Sequence, residues 1–242
     1  MSSRQKFIPG VLGGMGPQAT VDFMAKLVSQ TQAQCDQDHI RILVDHNPGV
    51  PNRHEAIAGD GSEVKAALVD MARRMERAGA DFLLMVCNTA HAFQEDIRVA
   101  VDIPFISIVD EAVSALDTRA SHARRIGVMA AEGCLAAGLY QNALEQMGRE
   151  AVMWSDAELD QFMSIVYQIK AGDAPDQLKL QMEQLAQVLV ERGAEALIAG
   201  CTEIPLVLGD SDILSVPLLS STDILVSRTI NYALGDIALP IQ

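Results

Sequence analysis

An α/β architecture of two similar lobes, each a four-stranded parallel sheet flanked by helices, follows from three features of this chain. Apolar runs of strand length alternate with helix-period segments from end to end, the pattern of parallel strands covered by helices on both faces. Two stretches repeat each other, Gly79-Ala80-Asp81-Phe82-Leu83-Leu84-Met85-Val86-Cys87-Asn88-Thr89 and Gly193-Ala194-Glu195-Ala196-Leu197-Ile198-Ala199-Gly200-Cys201-Thr202-Glu203. Each is a small-residue turn, an apolar run, and a cysteine where polar residues begin. The repeat sets its cysteine at the third strand of each half, which favours two pseudo-two-fold-related halves over a closed (β/α)8 barrel. The lobes are expected at 1–110 with 220–242 and at 111–219, with the active site in the cleft between them.

Taken in order, the strands are expected at 8–12, 40–44, 82–86, 105–109, 126–129, 151–154, 196–199 and 216–219. Helices are expected at 19–32, 63–77, 90–100, 111–118, 135–147, 157–170, 177–191 and 223–234. Val64, Leu68, Met71 and Met75 share one helical face, and Leu178, Met182, Leu185, Val188 and Leu189 share another. Pro17 suits a first helical position. The final helix could return to pack on the first lobe, a point that periodicity leaves open.

Composition removes several classes of function. With a net charge of −14 and only 4% aromatic residues, the chain repels phosphate backbones and offers few rings for stacking on bases. No apolar run approaches the ~20 residues that span a bilayer. The charged opening 1–6 has no apolar segment after it, so no signal peptide is expected and the protein is read as cytoplasmic. Cys35, Cys87, Cys134 and Cys201 form neither a disulfide framework nor, with the five histidines, a zinc pattern. No metal is expected. Cys35 and Cys134 are each read as a helix-end or core thiol.

Chemistry concentrates at strand ends. A thiol at the carboxyl end of a parallel strand lies where α/β proteins bind ligands. Residues able to start a helix follow both Cys87 and Cys201, so a helix amino-terminal field would favour thiolate. For either cysteine alone a packed core thiol is as good a reading, but packing gives no reason for both halves to keep cysteine at the matched point. Two opposed thiols suit proton transfer at carbon, one withdrawing a proton from one face while the other delivers to the opposite face. A hydrolase would pair Cys87 with His91, four residues on. Gly14-x-Gly16-x-x-Ala19, with Asp45 at the second strand end, loosely fits a dinucleotide fingerprint, although Pro17 fills a spacer position. Arg53, on a loop stiffened by Pro48 and Pro51, could take a carboxylate bidentately. Lys170 ends a helix, where a lysine is ordinarily a favourable terminal charge.

Five motifs in order, Gly13-Gly14-Met15-Gly16-Pro17, Asn47-Pro48-x-Val50-Pro51-x-Arg53, Cys87-Asn88-Thr89-Ala90-His91, Ile169-Lys170-x-Gly172 and Gly200-Cys201-Thr202-Glu203, carry a resemblance. The chain resembles the aspartate/glutamate racemase family of cofactor-independent amino-acid racemases, most closely its aspartate racemase branch. The resemblance implies a homodimer that uses no cofactor, with Cys87 and Cys201 as the two acid/base thiols. It implies that Arg53 clamps one substrate carboxylate and Lys170 contacts the other. Asn88, Thr89 and Thr202 would bond the α-carboxylate and amino group, and Met15 joins them at the substrate.

Two departures stand out. Asn52 precedes Arg53 where the aspartate branch carries Asp, and Ala130-Ala131-Glu132-Gly133-Cys134 replaces a threonine-rich segment that bears on recognition of the distal group. The implied activity is interconversion of L- and D-aspartate or another acidic amino acid. A thiol-dependent isomerase, decarboxylase or hydantoin racemase on the same fold, or a non-catalytic amino-acid-binding protein, remain the competing readings.

Overall fold

The computed structural model describes residues 5–172, 175–208 and 214–241; positions 1–4 of the charged opening lie outside them. The chain divides into two units, one formed by residues up to Ile108 together with those from Thr222 on, the other by Val109–Ser221. Each unit holds its own four-stranded parallel sheet. The strands therefore form two open sheets, not one closed barrel.

In the first unit β1 (Pro9–Gly13), β2 (Leu43–His46), β3 (Phe82–Met85) and β4 (Phe105–Ile106) lie in the order β2-β1-β3-β4. Helix α1 (Pro17–Gln30) begins on Pro17, whose missing N–H is not needed there. After β2 come α2 (Arg53–Ala58) and α3 (Ser62–Arg77), and α3 buries Val64, Leu68 and Met71 as its periodicity predicts. A 3-10 turn, Thr89–Phe93, precedes α4 (Gln94–Ala100), so the helix expected at 90–100 is broken in its first turns. The core of this unit joins Leu12, Met15, Leu68, Met71, Leu83, Met85, Cys87 and Ile97.

The expected strand 105–109 stops at Ile106, because α5 (Ile108–Ser114) starts at once. Ile108, Val109, Ala112 and Val113 are all buried, and a buried helical turn cannot be told from a buried strand by apolar content. Helix α6 (Leu116–Arg119) follows, dividing the helix expected at 111–118.

In the second unit β5 (Arg125–Ala130) is followed by α7 (Glu132–Ala136) and α8 (Leu139–Gln146), with the left-handed Gly138 between them breaking the helix expected at 135–147. Strand β6 (Glu150–Val152), helices α9 (Asp156–Ala171) and α10 (Pro175–Glu191), strand β7 (Ala196–Gly200), helix α11 (Pro205–Leu208) and strand β8 (Leu218–Ser220) complete it, in sheet order β6-β5-β7-β8. Ser155 N and Oγ both donate to Glu158 Oε2 at 2.7 Å, fixing the start of α9. Met129, Trp154, Phe162, Met182, Leu185, Leu189, Leu197 and Cys201 form the core. Helix α12 (Ser221–Leu234) closes the chain. Its Asp223 meets Lys26 of α1 at 2.8 Å, and its Tyr232 ring lies 5.9 Å from that of Phe82, so its residues from Thr222 on pack on the first unit.

The sequence repeat is a repeat of atomic roles. Asp81 Oδ2 accepts from Ile8 N at 2.6 Å, just before β1. Glu195 Oε2, at the matched place, accepts from Arg124 N and Arg125 N at the start of β5. A Cβ on Gly10 of β1 would stand 2.8 Å from Leu83 Cδ2 and 2.9 Å from Ala80 Cβ. One on Gly127 of β5 would meet Leu197 Cδ2 at 2.3 Å and Ala194 Cβ at 3.2 Å, the equivalent residues. The first strand of each unit is thus glycine where a helix-to-strand turn crosses close above it.

Candidate active site

Each unit gathers its expected residues at the carboxyl edge of its own sheet. In the first, β1 runs into Gly14, Met15 and Gly16. Gly14 holds φ +90°, and a Cβ there would sit 2.4 Å from the Asn47 carbonyl carbon, so the loop after β1 lies against the loop after β2. Thr20 Oγ1 accepts from Gly14 N at 2.8 Å, and Met15 is buried. Asp45, the acidic residue of the loose dinucleotide fingerprint, is a strand residue paired in register with Leu12.

Arg53 is the first residue of α2 rather than a loop residue. Asn52 caps that helix, its Oδ1 accepting from His54 N at 3.0 Å while its Nδ2 donates to Glu55 Oε1 at 2.8 Å. Arg53 Nη1 donates to Val50 O at 3.2 Å and Pro51 O at 3.0 Å, which orients the guanidinium, and its buried Nε has no hydrogen-bond partner. A fixed cation with an unused donor is suited to receive an anion.

Cys87 lies two residues beyond β3 and is 5% exposed, with Asn88, Thr89 and His91 buried beside it. His91 Nδ1 is 2.7 Å from the Cys87 carbonyl oxygen, and Ile108 N donates to Nε2 at 3.1 Å. These partners fix the neutral tautomer with the proton on Nδ1. Burial holds the imidazole down to a pKa of about 4. His91 therefore supports the backbone of the thiol loop, and the Cys-His hydrolase arrangement is not formed.

In the second unit Cys201 directly follows β7 and is 6% exposed. Its Sγ donates to Glu203 Oε2 at 3.1 Å, and Thr202 Oγ1 donates to the same oxygen at 3.3 Å. Lys170 Nζ, from the last turn of α9, lies 3.6 Å from Glu203 Oε1. Burial, and then the Glu203 charge, push the Cys201 thiol well above its ordinary value. The expected helix field is also small, since a 3-10 turn follows Cys87 and the four-residue α11 follows Cys201. Burial and Glu203 thus act on Cys201 against the helix field that was expected to favour thiolate.

The structure brings Cys87, Asn88, Thr89, Met15 and Arg53 to one sheet edge and Cys201, Thr202 and Lys170 to the other. Glu203, to which the sequence pattern assigns no role, bonds the Cys201 thiol directly. Its signal was a buried-loop carboxylate where the repeat has Thr89. Cys134 is fully buried in α7 and Cys35 is exposed beside a 3-10 turn, Asp36–Asp38. Among the described residues no group of three or more His, Cys, Asp and Glu side chains could hold a metal ion, and no helix is long and apolar enough to cross a membrane.

A family profile described as Asp/Glu/Hydantoin racemase matches residues 12–229. The broad specificity amino-acid racemase RacX of Bacillus subtilis is 28% identical over 233 residues, 93% of this chain and 98% of that protein. Among solved structures, the aspartate racemase of Picrophilus torridus superposes with a TM-score of 0.79 at 26% identity, covering 98% of this chain and 96% of that one. An aspartate racemase homologue from Pyrococcus horikoshii gives 0.76 at 23% identity, over 94% of this chain and 99% of that one, a likeness of fold.

Proposed function

The chain belongs to the Asp/Glu/hydantoin racemase family, and we propose that it interconverts the L and D forms of an acidic amino acid, aspartate foremost, by proton transfer between Cys87, Cys201 and one α-carbon. The observation that carries this is the duplicated strand end, which sets one buried thiol beyond β3 and another beyond β7. An α-proton of an amino acid is a weak acid, and a base fixed on one face of the carbon cannot reach the other. Two thiols share the work, with a thiolate taking the proton from one face and a thiol giving one to the other, so each turnover exchanges their protonation states. Arg53, with its unpartnered Nε, takes one carboxylate. Lys170 takes the other, Asn88, Thr89 and Thr202 bond the groups on the α-carbon, and Met15 supplies an apolar wall.

A second reading widens the substrate class. The Lys170 charge is partly offset by Glu203, 3.6 Å away, which weakens its preference for a second carboxylate, and the RacX relative is described as a broad-specificity racemase.

Both readings are tested by solvent exchange without added cofactor. In deuterium oxide the α-carbon of aspartate gains deuterium as the opposite enantiomer forms, and chiral chromatography across D- and L-amino acids ranks the substrates. No exchange with aspartate, glutamate or a broad panel overturns the racemase assignment. Cys87→Ser and Cys201→Ser should each lose racemisation, and full turnover in either would refute the two-base mechanism.

A further inference from the structure

The loop after β7 carries a carboxylate that the matched loop after β3 does not. Glu203 is 4% exposed, and both of its oxygens are engaged, Oε2 by the Cys201 thiol and the Thr202 hydroxyl, Oε1 by Lys170. We propose that Glu203 is a positioning residue for Cys201: it accepts the S–H hydrogen bond through Oε2 while Lys170 braces Oε1, so that Cys201 rests as the proton donor of the thiol pair. The inference rests on the two-thiol reading above and adds an inequality between the two bases.

The physical case is electrostatic and geometric. An acceptor 3.1 Å from sulfur is satisfied by a thiol and repelled by a thiolate, most strongly where water is excluded. The groups facing Cys201 are Glu203 on its own loop, Lys170 from α9 and Tyr140 from α8. Lys170 acts in the opposite sense to Glu203, but it lies on the far oxygen. Tyr140 is fully buried against Gly200, where a Cβ would meet its ring at 2.5 Å, and its phenol is held protonated by burial with the thiols of Cys134 and Cys201 nearby. Among the described residues the Glu203 backbone N–H and the Lys170 charge act against the carboxylate on this thiol, and burial with the Glu203 charge outweighs them.

The consequence for the reaction balances without a further reactant. The Cys201 proton passes to one face of the α-carbon and the S–H electron pair stays on sulfur as thiolate, while the proton on the other face passes to the Cys87 thiolate. The product-state Cys201 thiolate then faces Glu203, which favours its return to thiol by a proton from water while the Cys87 thiol gives its proton to water, restoring the starting pair.

Iodoacetamide labelling, followed by mass spectrometry of the Cys201-containing peptide across pH, reads this thiol directly. In Glu203→Gln, which keeps the size of the side chain, the midpoint for Cys201 labelling should move to lower pH with at least tenfold faster labelling below the wild-type midpoint. In Lys170→Met it should move to higher pH, and because that variant retains Glu203, it tests the assignment even where the first fails to fold. The high-pH limb of racemase activity in Glu203→Gln should fall in step. An unmoved midpoint, or shifts of both variants in one direction, overturns the assignment, since loosened packing would alter the rates without opposite shifts. Because labelling needs no turnover, failure of the racemase reading would show separately as absence of exchange with any amino acid.

Discussion

The imidazole of His91 is bonded on both sides by backbone: Nδ1 to the carbonyl oxygen of Cys87 at 2.7 Å and Nε2 to the N–H of Ile108 at 3.1 Å. One side chain thus ties the loop that carries the first thiol to the start of the helix after β4. The ring is neutral because full burial disfavours an imidazolium, and nearby Arg98 disfavours it further. The arrangement resembles a histidine base four residues from its nucleophile in sequence alone. In three dimensions it is a strut.

That strut predicts acid sensitivity. Unfolded His91 takes a proton below its ordinary 6.5, whereas the folded ring resists protonation until about 4, so the unfolded state binds more protons across that window. Stability is fully present above pH 6.5 and is lost as pH falls toward 4, by on the order of 3 kcal/mol from this group. Urea unfolding of wild type and His91→Asn at pH 7 and pH 4.5 should show a variant that is weaker at pH 7 yet flatter with pH. Equal pH slopes would mean that His91 is not held neutral.

The paired glycines predict matching damage in both units. Gly10→Ala and Gly127→Ala each drive a methyl into the neighbouring strand and the turn that precedes it, Leu83 and Ala80 in one case and Leu197 and Ala194 in the other. Overpacking of this kind costs about 1–3 kcal/mol. Chemical denaturation should show a loss in that range for both variants, with Gly10→Ala the larger, because the leucine δ-methyls can turn aside while the fixed Cβ atoms stand closer to Gly10, Ala80 at 2.9 Å and Met75 at 3.0 Å, than to Gly127, Leu189 at 3.1 Å and Ala194 at 3.2 Å. Wild-type stability in either would remove the close-approach argument.

Much of the architecture was legible because buried parallel strands and amphipathic helices write different periods into sequence, as Val64, Leu68 and Met71 do on α3. The failures have physical causes. Ile108 and Val109 sit in a helix so buried that its apolar run imitates a strand. The short helices α2 and α11 are too brief to show a period. At the candidate site the residue types were readable, since the repeat marks Cys87 and Cys201 and the stiff loop marks Arg53. What a linear sequence withholds is pairing: that Lys170 reaches Glu203, that Glu203 turns back to the Cys201 sulfur, and that His91 spends both nitrogens on backbone.

Asn52 gives a prediction about the departure from the aspartate branch. Its carboxamide both caps α2 and donates to Glu55. In Asn52→Asp the cap acceptor survives, but the donor becomes a charge facing another carboxylate, a repulsion of about 0.2–0.5 kcal/mol. Asn52→Ala loses the cap outright, at about 1 kcal/mol. The new charge in Asn52→Asp also meets the amino-terminal end of α2 favourably, by about 0.3–1 kcal/mol, so thermal unfolding should leave that variant close to wild type and place both above Asn52→Ala. An Asn52→Ala variant as stable as wild type would contradict the assigned cap.

Arg53 carries the sharpest test of substrate binding. Its Nη1 is used to hold the guanidinium on the Val50 and Pro51 carbonyls, while the buried Nε donor lacks a partner. A buried donor left unmade is costly, so a ligand carboxylate that reaches it gains a charge-assisted hydrogen bond of about 1.5–3 kcal/mol. Arg53→Lys keeps the charge but loses both the fork and that donor. For aspartate the variant should therefore raise KM by roughly 10–150-fold, with a smaller change in kcat, since the carboxylate is held alike in the ground and transition states. Isothermal titration with a non-reacting dicarboxylate should show the same loss of affinity. A KM within twofold of wild type would place the carboxylate elsewhere and leave the Nε of Arg53 without a role in binding.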